Sequence, residues 1–185
     1  MPDELAWTTV DSEVAYSCPG FDVVSDDVRL PDGTVTDYDY LSEPPAVVVL
    51  PFLGNGGPGD DVVLVEEWRQ AVGRVNRGLP AGGVDADDAD VLAAARRELR
   101  EETGYAAGDV AHLLSAEPAN GVADTVHHYV VATDCERAGD QRLDRDESIR
   151  PTTAAYADLR EAVLADEVRD GRAVTAVLRW ECERG

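Results

Sequence analysis

Three glutamates in one short segment are the residues of this chain whose spacing most directly suggests chemistry. Glu98, Glu101 and Glu102 are spaced i, i+3 and i+4, so a helix would place their carboxylates on one face of a single turn. Like charges so close repel each other, and a bound cation would remove that repulsion. Mg²⁺ prefers carboxylate and phosphate oxygens and usually binds through a few carboxylates together with substrate phosphates. The spacing therefore suggests a divalent-metal site, and a solvated helix face with i,i+4 pairs such as Arg97–Glu101 is the alternative.

The segments on either side indicate how this helix is positioned. Residues 79–83 (LPAGG) precede it and predict a tight turn, and Gly104 stands where helix C-termini favour glycine. The helix is predicted over about residues 88–103, with a buried stripe that consists of Leu92, Ala95 and Leu99. A loop, a helix and a second loop around one acidic face favour a site over a plain surface.

This segment resembles the signature of the Nudix hydrolases, G-x5-E-x7-R-E-U-x-E-E-x-G-U, in which U is a bulky apolar residue. Residues 97–105 match the second half without a gap. In the first half, one count leaves Ala89 where the first glutamate belongs. A count from Gly82, with one inserted residue, places Asp88 there. We prefer the second count, which aligns residues 79–82 with a similar LPAG in the ADP-ribose pyrophosphatase branch of that family.

The resemblance implies which residues would hold the metal and catalyse the reaction. Glu98, Glu102 and Glu101 would hold Mg²⁺, or Mn²⁺ as the alternative, and the Ala81 carbonyl would complete the shell. Arg97 would hold a glutamate carboxylate in position by charge-assisted hydrogen bonds. The metal would lower the pKa of a bound water and orient it for attack on phosphorus. The implied reaction is hydrolysis of the diphosphate bond in a nucleoside diphosphate that is linked to another group.

An acidic loop at residues 139–148 supplies the candidate proton acceptor. In the related branch, an acidic loop before a strand carries a glutamate that assists catalysis, and Glu147 is the best match. Asp144 and Asp146 are rivals, and a helix glutamate is a further candidate. A solvated acidic loop in an acidic protein is the alternative interpretation.

Three further residues match positions near the substrate in the related branch. Arg69 would contact a phosphate or the ribose, or else form a surface ion pair. Trp68 would stack on a base, or else pack in a core or an interface. Asp124 lies in a loop similar to P-S-P-G-F-S-D-E, from which this chain departs at Asn120 and Thr125.

The remaining segments predict strands and two final helices. Residues 1–12 read as a loosely held part of an N-terminal arm that extends to about residue 20, and Pro31-Asp32-Gly33 predicts a hairpin. A buried strand is predicted at 46–53, followed by a turn and by a strand at 61–69 that pairs with it. Later strands are predicted at 110–116, 125–132 and 150–155, and helices at 156–167 and 172–182. Residues 1–185 are predicted to form one domain. By pattern it is α/β or α+β. The resemblance implies a Nudix-type α/β/α sandwich with a mixed β-sheet.

Composition limits the classes of partner and the compartment. The net charge is −22, and all 16 basic residues are arginine, so nucleic acid is not an expected partner. No apolar run approaches the roughly 20 residues of a membrane span, and the N-terminus does not resemble a signal peptide. Three distant cysteines suggest thiols in a reducing cytoplasm. The acidic, lysine-free surface resembles that of proteins from salt-accumulating halophiles.

Three functions are compatible with the sequence. The first is an ADP-ribose or ADP-sugar pyrophosphatase that yields AMP and ribose 5-phosphate from ADP-ribose. The second is a Nudix hydrolase of another nucleotide sugar or a dinucleotide. The third is a non-catalytic Nudix-fold regulator that binds a ligand. The resemblance to the ADP-ribose branch also implies a homodimer.

Overall fold

The computed structural model describes residues 3–145 and 147–184. Within these residues the chain forms the strands β1 Thr8–Ser17, β2 Asp22–Arg29, β3 Val35–Ser42, β4 Ala46–Pro51, β5 Asp61–Arg69, β6 Arg74–Gly78, β7 Ala81–Gly83, β8 Tyr105–Ala106, β9 Asp109–Ala116, β10 His127–Thr133, β11 Glu136–Arg137 and β12 Ile149–Ala155. It also forms the helices α1 Val91–Thr103, α2 Tyr156–Leu164 and α3 Gly171–Arg184. None of these helices has the length and apolar character that a membrane span requires.

The described chain divides into two compact units. Unit 1 comprises residues 3–45 and 116–126, and unit 2 comprises residues 46–115 and 127–184. The glutamates of the predicted metal site all lie in unit 2, whereas Asp124 lies in unit 1.

Unit 1 is built on an antiparallel sheet with the strand order β1-β2-β3. The predicted hairpin is confirmed, because β2 and β3 pair from Asp22↔Ser42 to Arg29↔Val35 around the Pro31-Asp32-Gly33 turn. The prediction that residues 1–12 are loosely held is wrong from Thr8 to Ser12, because Thr8–Ser17 pairs along its length with β2. The side chains of β1 are exposed, so backbone hydrogen bonds order this strand without much burial, and an apolar pattern did not reveal it.

Unit 2 contains a mixed sheet with the order β7-β4-β10-β9 and an antiparallel sheet with the order β12-β5-β6. β4 pairs in parallel with β10 and antiparallel with β7. The prediction that β5 pairs with β4 is wrong, because the two strands belong to different sheets, and the isolated bridge Phe52↔Val62 lies just beyond the end of β4. β12 and β6 occupy the two edges of β5 instead. Strands that are adjacent in sequence therefore belong to different sheets here.

The core of unit 2 lies on both faces of β4. Val47 and Val49 pack with Ala94, Ala95 and Leu99 of α1. Successive strand residues point to opposite faces. On the other face, the ring of Phe52 lies 5.0 Å from that of Tyr156 in α2 and 5.6 Å from that of Trp180 in α3. Helices on both faces of a mixed sheet confirm the predicted α/β/α class.

Several predicted boundaries shift by a few residues. α1 begins at Val91 rather than Asp88, because the Asp90 carboxylate caps it by accepting hydrogen bonds from the backbone of Leu92 and Ala93. Within the predicted stripe, Ala95 and Leu99 are buried, but Leu92 is only partly buried. α2 ends earlier than predicted, at Leu164, and α3 continues to Arg184.

Candidate active site

The predicted carboxylates lie on and beside the buried face of α1. Ala94, Ala95 and Leu99 of this face pack into the core. Glu98 and Glu102 follow the same stripe and are only 9% and 4% exposed, whereas Glu101 is partly exposed. The core residues thus hold two carboxylates out of bulk water.

The LPAG segment forms the wall opposite these carboxylates. Ala81–Gly83 was predicted as part of a tight turn, but it is the strand β7, in which Ala81 pairs with Val48. The backbone N–H of Ala81 donates to Glu102 Oε2 at 3.0 Å. A side chain at Gly82 would overlap the carboxyl group of Glu98. β7 therefore requires glycine at that position in order to approach the acidic face of α1.

Arg97 connects the loop after β7 to the helix. Its guanidinium donates to Glu98 Oε1 at 2.7 Å, to Glu101 Oε2 at 3.2 Å and to the Gly83 carbonyl at 2.8 Å. It also forms a two-point contact with the Asp88 carboxylate, at 2.8 and 3.2 Å. These hydrogen bonds raise the pKa of Arg97 and lower that of Asp88. The expected structural role of Arg97 is confirmed, and the contact with Asp88 favours the count with one inserted residue.

The acidic loop is attached to the C-terminal end of α1. The Gln141 amide donates to the carbonyls of Glu102 and Ile149, and the Arg142 N–H donates to the Glu101 carbonyl at 2.8 Å. Gly104 ends the helix at φ 76°, and a side chain there would overlap the Gly139 carbonyl. This attachment positions the loop that carries Glu147. Its rival Asp146 lies outside the described residues.

Mutual repulsion links the carboxylates of the site. Burial raises the pKa of Glu102 to about 8; the Ala81 hydrogen bond opposes this shift, and the charges of Glu98, Glu147 and Glu67 add to it. Burial also raises the pKa of Glu98. The Arg97 guanidinium opposes this shift, and the negative charges of Glu101 and Glu147 add to it. Glu147 is therefore close enough to both helix glutamates to affect their ionisation.

The donor chemistry of this cluster fits a hard divalent cation. Carboxylate oxygens are the ligands that Mg²⁺ and Mn²⁺ prefer, and a cation would stabilise the ionised forms that burial disfavours. Among the described residues, no three acidic, histidine or cysteine side chains already form a ready metal site. Glu98 and Glu102 face β7, whereas Glu101 is turned toward Arg97.

The predicted substrate residues have local partners. Arg69 forms an ion pair with Glu67 at 2.8 Å. Trp68 is 52% exposed, so it is not a core residue, and its indole N–H donates to Gln70 at 2.9 Å. In unit 1, the Asp124 carboxylate accepts from the Ser42 hydroxyl at 2.8 Å and from the Glu43 N–H at 3.0 Å.

Glu67 and Gln141 are site residues that the sequence interpretation missed. Glu67 lies on β5, contacts Arg69 and raises the pKa of Glu102. Gln141 joins the acidic loop to α1 and β12. The position of Glu67 two residues before Arg69 was the one available signal for it, and nothing in the sequence around Gln141 indicated its role.

Residues 42–178 match the NUDIX domain family. The chain therefore belongs to the Nudix family, and it is a Nudix diphosphatase. It is 28% identical to the ADP-ribose pyrophosphatase of Bacillus subtilis (strain 168), over 91% of this chain and 89% of that protein. It is also 28% identical to the CMP-5'-(N-acetyl-N-hydroxy-3-aminopropyl)phosphonate hydrolase of Streptomyces rubellomurinus (strain ATCC 31215), over 93% and 78% of the two chains.

The fold has a counterpart among solved structures. A crystal structure of an ADP compounds hydrolase superposes with a TM-score of 0.80 and 24% identity, over 97% of this chain and 96% of that chain. This likeness confirms the predicted Nudix-type fold.

Proposed function

We propose that this protein hydrolyses the diphosphate bond of a nucleoside diphosphate derivative in a Mg²⁺-dependent reaction. ADP-ribose, cleaved to AMP and ribose 5-phosphate, is the best candidate substrate. The observation that carries the proposal is the pair of buried carboxylates, Glu98 and Glu102, held beside β7 with Glu147 in electrostatic range. Similarity to an ADP-ribose pyrophosphatase along most of both chains supports the ADP-linked class.

We propose Glu98, Glu101, Glu102 and the Ala81 carbonyl as the metal ligands, with Mn²⁺ as an alternative to Mg²⁺. When bound, the metal would lower the pKa of a water molecule and offset the charge of the diphosphate. Arg97 and the Ala81 N–H already orient Glu98 and Glu102. Glu101 must release its hydrogen bond from Arg97 in order to bind the metal.

Glu147 is the proposed proton acceptor. The water oxygen forms a bond to phosphorus, the bond from phosphorus to the bridging oxygen breaks, and the water proton passes to the carboxylate. Glu147 Oε2 accepts a hydrogen bond from the Asp144 N–H at 2.9 Å, which orients it locally. The rivals Asp144 and Asp146 remain alternatives for this role.

Arg69, Trp68 and Asp124 are the proposed substrate-binding residues. Arg69 would exchange Glu67 for a substrate phosphate or ribose, and the exposed face of Trp68 is available to a base. Asp124 keeps one free lone pair on each oxygen beyond its bonds to Ser42 and Glu43.

Another nucleoside diphosphate derivative is the alternative substrate. The related branch has a glutamate at the position of Thr125. In this chain Thr125 is buried and donates to the Pro44 carbonyl at 3.0 Å. A relative that acts on a CMP derivative is as similar as the ADP-ribose pyrophosphatase. Different nucleosides and linked groups are therefore tested together.

We further propose that residues 1–185 work as one Nudix enzyme domain, as a homodimer, in a cytoplasm of high salt. The net charge of −22 would repel nucleic acid, and salt would stabilise the folded protein by screening the repulsion between its own acidic groups. The homodimer rests on the resemblance to the ADP-ribose branch.

The test is hydrolysis of ADP-ribose, NADH, a dinucleoside polyphosphate, UDP-glucose, GDP-mannose, a CMP-linked phosphonate and dNTPs in molar KCl, with and without Mg²⁺. Formation of AMP and ribose 5-phosphate from ADP-ribose, only with metal, is the expected result. Preference for another compound would support the proposed diphosphate hydrolysis and overturn ADP-ribose as the substrate. Absence of turnover in a folded protein that binds nucleotide would overturn the proposed activity in favour of a regulator.

A further inference from the structure

A cavity lined by arginines lies in unit 2, at β6 and the connection between α2 and α3. Its volume is ≈ 670 Å³, and its walls include Arg74 and Arg77 of β6 and Arg169 of the connection between α2 and α3. Ligand pockets usually measure about 300–1,000 Å³, so the cavity can hold a molecule of nucleotide size. None of the described residues of the candidate active site lines it.

The three guanidinium groups differ from most arginines of the chain. Among the described residues, they have no salt-bridge or hydrogen-bond partner, whereas Arg97, Arg160 and Arg172 are paired with carboxylates. The carboxylates on the same walls are Asp166 and Glu167, so the lining carries an excess of positive charge. That excess is unusual in a chain with a net charge of −22.

The walls of the cavity are fixed by contacts of their own. Asn76 on β6 donates to Asp170 Oδ2 at 2.6 Å. Asp170 Oδ1 also caps α3 by accepting from the Arg172 and Ala173 N–H groups. The N–H of Glu167 donates to the Ala162 carbonyl at 2.9 Å and so folds the connection back on α2. The arginines are therefore carried by an ordered frame.

We propose that this cavity binds an anion with two or more phosphate groups, at a site separate from the candidate active site. Guanidinium groups match phosphate oxygens in geometry and stay charged at every physiological pH. The overall negative charge repels anions at long range, so binding depends on several arginines that line the same cavity. Val75, Ala162 and Val168 add apolar wall area that could contact a ribose or a base. This inference does not depend on the proposed function.

The test measures binding of inorganic pyrophosphate by calorimetry, in EDTA and 0.5 M KCl, so that no metal contributes. We expect saturable binding by the wild-type chain. The Arg74→Gln/Arg77→Gln double variant and Arg169→Gln should each weaken it by about 10-fold or more, because each removes charged hydrogen bonds to phosphate. Arg74, Arg77 and Arg169 are all exposed, so both variants should fold, and Arg169→Gln tests the site from a different element than the double variant.

Matched controls separate the cavity from general charge effects. The Arg29→Gln/Arg179→Gln double variant makes the same charge change at exposed positions outside the cavity and should bind within about twofold of wild type. Glu102→Gln should also retain binding. No binding by wild type, equal weakening in the charge control, or unchanged binding in the cavity variants would overturn the proposal. Equal affinity for phosphate and pyrophosphate would overturn the requirement for two phosphate groups.

Discussion

Glu102 is the carboxylate whose surroundings most oppose its ionisation. It is 4% exposed, it accepts one hydrogen bond from the Ala81 N–H, and the charges of Glu98, Glu147 and Glu67 act on it. Such a residue does not stabilise the fold when it is ionised without a cation. This placement is the reason that we propose Glu102 as a metal ligand.

This environment gives a pH-dependent stability with a definite sign. Burial raises the pKa of Glu102 to about 8 in the folded protein, against an ordinary value of about 4.3 in the unfolded chain. The folded state therefore binds the proton more tightly. The stability that protonated Glu102 gives to the folded state is fully present below about pH 4 and is lost as the pH rises through about 8. Without metal, we expect wild type to lose about 2–4 kcal/mol relative to Glu102→Gln between pH 5 and pH 9.

Denaturant unfolding of both proteins in EDTA and 1 M KCl measures this difference. Mg²⁺ added at pH 8 should restore the stability of wild type and not that of Glu102→Gln, because ligand that binds the native state stabilises it. Parallel pH profiles for the two proteins would show that Glu102 ionises normally.

The positions of single site residues were predictable where they belong to a local sequence pattern. Residues 97–105 placed three glutamates on one helix, and Arg97 was expected to hold a carboxylate, as it does for Glu98 and Glu101. The sequence indicated Glu67 only as a neighbour of Arg69, because its effect on Glu102 depends on the position of β5 in the fold.

At the scale of elements, β7 determines how close the backbone comes to α1. Gly82→Ala would place a methyl group on the Glu98 carboxyl, and that carboxyl would have to turn away. We expect Mg²⁺-dependent turnover to fall by at least about 10-fold, since small displacements of catalytic groups have large effects. The cost in folding stability should be only about 1–3 kcal/mol.

Gly83→Ala is the matched control, because a methyl group there meets no other atom within 4 Å. Steady-state kinetics and Mg²⁺ titration of the two variants make the comparison. Equal activity of both variants would contradict the assigned contact between β7 and Glu98.

Most elements were predictable one by one, but most pairings between distant strands were not. Residues 46–51 are uniformly apolar, and they form the strand β4, which is buried on both faces. The Pro31-Asp32-Gly33 turn joins the predicted hairpin. The partners of β4 are β7 and β10, which come later in the chain. Local patterns cannot identify such distant partners. The polar strand β1 was missed for the related reason that it buries little apolar surface.

At the scale of the whole molecule, charge should control stability. The chain carries 38 acidic and 16 basic residues, and mutual repulsion of the acidic groups opposes the compact state. KCl shortens the Debye length from about 10 Å at 0.1 M to about 3 Å at 1 M. We expect the free energy of unfolding to rise by at least about 1 kcal/mol over that range, as measured by urea unfolding. NaCl at equal ionic strength should act alike, and unchanged or lower stability would contradict the assigned role of charge.

The most direct test of the central claim is Mg²⁺-dependent hydrolysis of ADP-ribose by wild type, Glu102→Gln and the exposed control Glu183→Gln. We expect AMP and ribose 5-phosphate from wild type and from Glu183→Gln only when Mg²⁺ is present. Turnover by folded Glu102→Gln should fall by about 100-fold or more, because a proposed metal ligand is removed. Unchanged turnover by Glu102→Gln would contradict the assignment of the metal site to this face of α1.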